Sequence, residues 1–161
     1  MSKTNFAYYQ SPIGMIELSE VNKSIDYITF IDSEKTKPTS NNSPILKKAV
    51  KQLDEYFAGK RLNFELPLSP KGTAFQKSVW KVLQGIPHGK TVSYLDIAKQ
   101  LGDVKAVRAV GMANGKNPIA IVIPCHRVIG ANGKLTGYAG GLERKQWLLE
   151  LESKKEQLKL F

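Results

Sequence analysis

The chain has 161 residues, with 24 Lys and Arg against 14 Asp and Glu, a net charge of +10, two histidines and one cysteine. With 42% hydrophobic and 24% charged residues it is not a disordered chain, and its length can bury a core in one large domain or two small ones. A lone cysteine excludes an intramolecular disulfide and any cysteine-cluster zinc or iron–sulfur site. No apolar run approaches the ~20 residues of a membrane helix, and Met1 to Gly14 hold no apolar signal core. These features describe a cytoplasmic protein in a reducing compartment, where a free thiol survives.

The first part of the chain alternates apolar and polar residues with period two. Phe6–Tyr9, Met15–Leu18 and Ile25–Ile31 read as three strands of a meander, separated by turn residues at Pro12-Ile13-Gly14 and Asn22-Lys23. A polar segment from Ser33 to Asn42 reads as a loop. Ser43-Pro44 then offers an N-cap and a first helical residue, followed at helical spacing by Leu46, Ala49, Val50, Leu53, Tyr56 and Phe57, with Gly59 as the stop. Leu62, Phe64 and Leu66 alternate as one more short strand, and Pro67 to Gly72 reads as a linker.

The remainder is mainly helical. Thr73 and Gln76 form a capping box ahead of a helix through Val79, Trp80, Val82 and Leu83, which ends at Gly85 to Gly89. Ser93 and Asp96 form a second box ahead of Leu95, Ile97, Ala98 and Leu101. Gly102 breaks that helix, and Asp103 caps a third running from Val104 to Ala113. Two short helices around a tight glycine turn fit a helix-turn-helix. Ala106, Ala109 and Ala113, with Lys105 and Arg108 beside them, read either as a surface letting a phosphate chain approach closely or as helix formers packed on a neighbour. Charge distribution bears on that choice. Residues 1–72 hold ten basic and eight acidic residues, net +2, and residues 73–161 hold fourteen and six, net +8, so the excess lies with the helices.

The chemistry centres on Pro124-Cys125-His126-Arg127-Val128. Ile119 to Ile123 is an apolar run bounded by Pro118 and Pro124, which reads as buried and extended, and the cysteine closes it beside a glycine-rich loop, Gly130 to Gly141. A thiol becomes a nucleophile when ionised, and His126 and Arg127 are near in sequence to favour that. The alternative is an inert buried cysteine. His88 and His126 with one cysteine fall short of a zinc set.

Here the sequence resembles the O6-alkylguanine-DNA alkyltransferases, the methylated-DNA–protein-cysteine methyltransferase family. Ile123 to Val128 carries the hallmark, extended by Thr91–Tyr94, Arg108–Gly111, Ala113–Pro118, Gly137–Leu142 and Trp147–Glu150, across roughly residues 73–152. The resemblance implies an α+β protein. Residues 1–70 would form a ribonuclease-H-like structural domain with antiparallel strands, without a carboxylate set for nuclease chemistry. Residues 73–161 would form a mainly helical winged helix-turn-helix domain that binds DNA and accepts the alkyl group.

It also implies roles. Cys125 accepts the alkyl group from guanine O6, and ionising the thiol through a water falls to His126. Glu152 orients that histidine, with Glu150 as the nearby alternative. Asn117 orders the loop below the thiol, and Tyr94 protonates the departing guanine at N3. Arg108 fills the gap left by the rotated base, with Lys105, Ala106 and Ala109 on the same DNA-facing surface. Pro124, Tyr138 and Gly140 line the alkylguanine pocket. The implied partner is double-stranded DNA carrying O6-alkylguanine or O4-alkylthymine, docked through its minor groove to a monomer, with no cofactor and no metal. Two other classes of function stay open: a DNA-binding or signalling module with an incidental cysteine, and a Cys–His hydrolase.

Overall fold

The computed structural model describes residues 3–32, 36–39 and 42–158. The chain forms two compact units, one of residues 1–71 with 118–120 and the other of residues 72–117 with 121–161.

In the first unit β1 (Asn5–Ser11), β2 (Gly14–Val21) and β3 (Ser24–Ile31) make an antiparallel sheet in that order. Its register sets Ala7, Leu18 and Ile28 side by side, all buried. The β2–β3 turn holds Asn22 and Lys23 at φ 53° and 65°, the paired left-handed conformation that lets a two-residue hairpin follow strand twist. Asparagine tolerates it, and Lys23 is tied there by its N–H donating to Glu20 Oε2 at 3.1 Å. Helix α1 (Pro44–Phe57) covers the sheet with Leu46, Ala49, Leu53, Tyr56 and Phe57, and the Tyr9 and Phe57 rings stack at 6.1 Å. Ser43 Oγ accepts from the Leu46 N–H at 3.3 Å, and the chain leaves the helix through Gly59 at φ 75°.

Two expectations for this unit need correction. Leu62, Phe64 and Leu66 do not form a strand. The backbone of Glu65 bonds instead to the Gln52 side chain, at 2.9 and 3.1 Å, so the ladder contact comes later, as a parallel bridge between Leu68 and Ile25. Of the polar segment 33–42, residues 33–35, 40 and 41 lie outside the described residues, and Thr39 pairs antiparallel with Tyr8 rather than looping free.

In the second unit α2 (Ala74–Gln84) opens with the Thr73–Gln76 box, and its Trp80 is almost fully buried. Gly72 precedes the helix because a Cβ there would sit 2.4 Å from the Trp80 ring. β4 (Val92–Ser93) pairs in parallel with β5 (Val128–Ile129), and α3 (Tyr94–Gln100) starts directly from β4 through the Ser93–Asp96 box. Gly102, at φ 82°, turns the chain into a short 3-10 segment (Val104–Ala106), N-capped by Asp103, and then α4 (Val107–Gly115). The third helix is therefore shorter at its start and longer at its end than the spacing of residues indicates, because the Asp103 cap tightens the first turn. Helix α5 (Leu142–Leu158) closes the described chain. No helix among the described residues is long and apolar enough to cross a membrane.

Ala113 does not share a free surface with Ala109. It is buried, and its carbonyl accepts the Trp80 Nε1 bond at 2.8 Å. Of the three alanines Ala109 is exposed and Ala106 half-buried. The run from Ile119 to Ile123 is also not extended. Ile119 makes a single bridge to Ile28, and residues 120–122 then turn, with Ile121 at φ 70°. Asn117 Nδ2 donates to the Ile123 carbonyl at 2.8 Å, a bond across six residues that a straight strand cannot make. A β-branched residue at positive φ is strained, and its buried side chain helps hold that turn in place.

Candidate active site

The turn at Ile121 delivers the chain to Pro124 and a 3-10 segment, Cys125–Arg127, both buried. Local bonds fix it: the Cys125 N–H donates to the Ile123 carbonyl at 2.8 Å and the Arg127 N–H to that of Pro124 at 3.0 Å. Asn114 Nδ2 reaches the Cys125 carbonyl at 3.4 Å. Burial pushes the Cys125 thiol above its ordinary value of 9.0, while a hydrogen bond from Asn117 and the Lys145 ammonium pull the other way. Asn117 thus serves both the turn and the thiol.

His126 is fully buried and meets Glu152 from α5, Nε2 to Oε2 at 2.7 Å. Glu152 also takes two bonds from Arg127, Nε to Oε1 at 2.8 Å and Nη2 to Oε2 at 3.0 Å, and Arg127 Nη1 donates to the Ile86 carbonyl at 2.7 Å. Burial alone would raise the Glu152 carboxyl. The His126 ring and Arg127 guanidinium more than reverse this and hold it well below the carboxylate range. An ionised carboxylate only accepts, so the His126 Nε2 that faces it carries a proton, and the acceptor of the corresponding neutral tautomer is Nδ1. Nδ1 makes no hydrogen bond among the described residues. Of the two glutamates it is Glu152 that meets His126, whereas Glu150 is exposed and takes a bond from Gln146 at 3.1 Å.

The loop from Gly130 to Gly141 brings Tyr138 near Cys125. Tyr138 keeps a half-exposed ring and a buried hydroxyl, and burial with the neighbouring Cys125 raises that hydroxyl well above its ordinary value. The Tyr138–Gly141 turn closes with a 2.9 Å backbone bond, and the Gly140 carbonyl accepts from Arg144 at 3.2 Å. Tyr94 Oη and Thr136 Oγ1 are 2.6 Å apart. Lys145 ties the parts together: fully buried, it donates to the carbonyls of Val128 at 2.7 Å and Thr136 at 2.9 Å. Burial lowers its pKa, and the Cys125 charge partly offsets that. Lys105, Arg108 and Ala109 stand exposed on the 3-10 segment and α4.

Lys145, Asn114 and Thr136 are the participants that composition and motif reading pass over, while Arg127, expected to favour the thiolate, spends its guanidinium on Glu152 and the Ile86 carbonyl. Lys145 had a signal available, since Lys145, Leu148 and Glu152 fall at i, i+3 and i+7 on one helix face.

The comparisons with known proteins cover both units. Residues 5–70 match the ribonuclease-like domain of 6-O-methylguanine DNA methyltransferase, and residues 74–154 match its DNA binding domain. A methylated-DNA–protein-cysteine methyltransferase of Methanosarcina acetivorans is 51% identical over 151 residues, 91% of this chain and 97% of that one. A constitutive one of Bacillus subtilis is 46% identical, over 89% and 92%. The crystal structure of the Mycobacterium tuberculosis O6-methylguanine methyltransferase superposes with a TM-score of 0.84 at 46% identity, over 95% and 94% of the two chains. The same protein in complex with DNA gives 0.84 at 45%, over 93% of each. With both of its domains matched and half of its residues shared with full-length relatives, this chain belongs to the methylated-DNA–protein-cysteine methyltransferase family.

Proposed function

We propose that this protein repairs alkylated DNA directly, moving the methyl group of O6-methylguanine onto its own Cys125 in a single turnover. The observation that carries the assignment of residues is the pinned imidazole: Glu152 occupies Nε2 and leaves Nδ1 as the acceptor on His126, the residue that follows the chain's one cysteine. His126 takes the thiol proton through a bridging water. Sulfur then attacks the O6-alkyl carbon, the S–C bond forms as the C–O6 bond breaks, and the electron pair leaves with guanine. Tyr94 protonates that guanine at N3, which lowers the barrier as general-acid catalysis. No oxyanion hole is needed, because displacement at saturated carbon forms no tetrahedral oxyanion. The product is a thioether that water does not hydrolyse, so each chain reacts once.

The alkyl carbon cannot be reached inside a duplex, so the nucleotide rotates out at a cost of a few kcal/mol of lost stacking. Arg108 fills the gap, with α4 docked in the minor groove beside Lys105, Ala106 and Ala109. Pro124, Tyr138 and Gly140 line the pocket, Asn117 holds the thiol, and O4-alkylthymine is a second substrate. The protein acts as a monomer in the cytoplasm, and residues 1–70 serve a structural role.

Incubation with excess O6-methylguanine oligonucleotide should raise the intact mass by one methyl group per chain and no more, mapped to the Cys125 peptide. An unchanged mass would exclude this function, and repeated turnover of an ester or amide would favour a hydrolase. Arg108→Ala should slow transfer from duplex by about 10-fold or more while affecting transfer from the free base far less, since a few kcal/mol of unstacking is then uncompensated. Equal losses on both substrates would argue against a role in base rotation.

A further inference from the structure

Met112 is 71% exposed, more than any other large apolar side chain among the described residues. Its position on α4 is informative. At 3.6 residues per turn, Arg108, Ala109 and Met112 project within an arc of about 100°, with Lys105 a turn before and Lys116 a turn after on the same side. All five are exposed, whereas Val110, Ala113 and Asn114 on the opposite side are buried. Asp103, at the foot of this face, is engaged as the cap of the 3-10 segment through the Lys105 N–H at 3.0 Å. The face is therefore a cationic frame around one bare, flexible apolar side chain.

We infer that Met112 contacts DNA, lying against the deoxyribose wall of the groove that α4 enters. The inference rests on the alkyltransferase reading and deepens it. A groove wall offers what this face lacks: phosphates to pair with Lys105 and Lys116 on either side of Arg108, and apolar sugar edges between them to cover the methionine. The thioether adapts to an irregular surface without carrying charge. Met112 accordingly supplies affinity that does not depend on counterion release, unlike the cations around it.

Duplex affinity measured across a salt series tests this. Met112→Ala, which keeps a strong helix former on an exposed site, should weaken binding about 10-fold from lost apolar burial, with the slope of log K against log[salt] unchanged. Lys105→Ala should reduce the slope by about 0.9 instead. Met112→Leu, apolar and of similar volume, should bind within about 2-fold of the original. Binding by Met112→Ala equal to the original overturns the inference, as does a slope change like that of Lys105→Ala. A loss of free-base transfer by Met112→Ala as large as its loss on duplex also overturns it. If the original protein has no affinity for duplex at any salt, the alkyltransferase reading itself falls. If the Lys105 and Arg108 variants weaken binding and Met112→Ala does not, only this inference falls.

Discussion

Cys125→Ser should bind an O6-methylguanine duplex within about 3-fold of the original protein and gain no mass from it. The exchange leaves the shape of the 3-10 segment in place, because its bonds to Ile123, Pro124 and Asn114 are made by backbone atoms of residues 125 and 127. What changes is the acidity of the attacking group. Burial already raises the thiol above 9.0, and the Asn117 bond with the Lys145 ammonium only partly offsets that. A serine hydroxyl is far less acidic, and the same neighbours cannot generate its alkoxide. The raised thiol pKa also gives a sign for the original protein. Its thiolate fraction at neutral pH is small and grows with pH, so modification of Cys125 by iodoacetamide should accelerate from pH 7 toward and beyond 9. Methyl transfer to Cys125→Ser, detected by intact mass, would move the acceptor to another residue.

What could be read along the chain was local. The two capping boxes, the Ser43 cap and the Asp103 cap each depend on residues three or fewer positions apart, and the structure makes each of those bonds. The meander was equally plain, because a half-buried sheet imposes period two on β1 to β3. The failures share a different cause. Leu62 to Leu66 alternates and Ile119 to Ile123 is a continuous apolar run, both patterns of strands, yet a side-chain amide takes a backbone bond in each, from Gln52 and from Asn117. An apolar pattern reports which residues are buried and not where their backbone groups find partners.

The site was legible where its chemistry is concentrated in one motif and obscure where it is spread over α5. A helix face normally announces itself by apolar residues, but the buried face of α5 carries Lys145 and Glu152 around Leu148. Each charge is accommodated by partners outside its own helix: Val128 and Thr136 for the lysine, His126 and Arg127 for the glutamate. This is why Glu150 and Glu152 could not be told apart until the phase of the helix was known.

Glu152→Gln should be the most damaging conservative exchange in the chain, for stability and for rate together. Arg127 would keep a carbonyl to bond but lose its buried counter-charge, and removing one partner of a buried pair costs about 3–5 kcal/mol. For a chain of this size that lowers the thermal midpoint by roughly 10 °C, readable by calorimetry. The pH dependence has a definite sign. The folded Glu152 carboxyl lies below its ordinary value of 4.5, so the unfolded chain binds the extra proton first. The stabilisation is complete above that value and drains away as pH falls toward the depressed folded one. Glu152→Gln should therefore flatten the acid limb of the stability curve, and the difference from the original protein should shrink below pH 4.5. The rate effect comes from the other bond. A glutamine amide can donate to His126 Nε2, which moves the ring proton to Nδ1 and removes the acceptor proposed to take the thiol proton. Transfer should slow by about 10²–10⁴, the usual worth of a general base, when measured where both proteins are folded. Glu150→Gln, changing an exposed residue one helix phase away, should alter neither quantity. Full-rate transfer by folded Glu152→Gln would remove His126 from the proton path and leave Glu152 a purely structural counter-charge for Arg127.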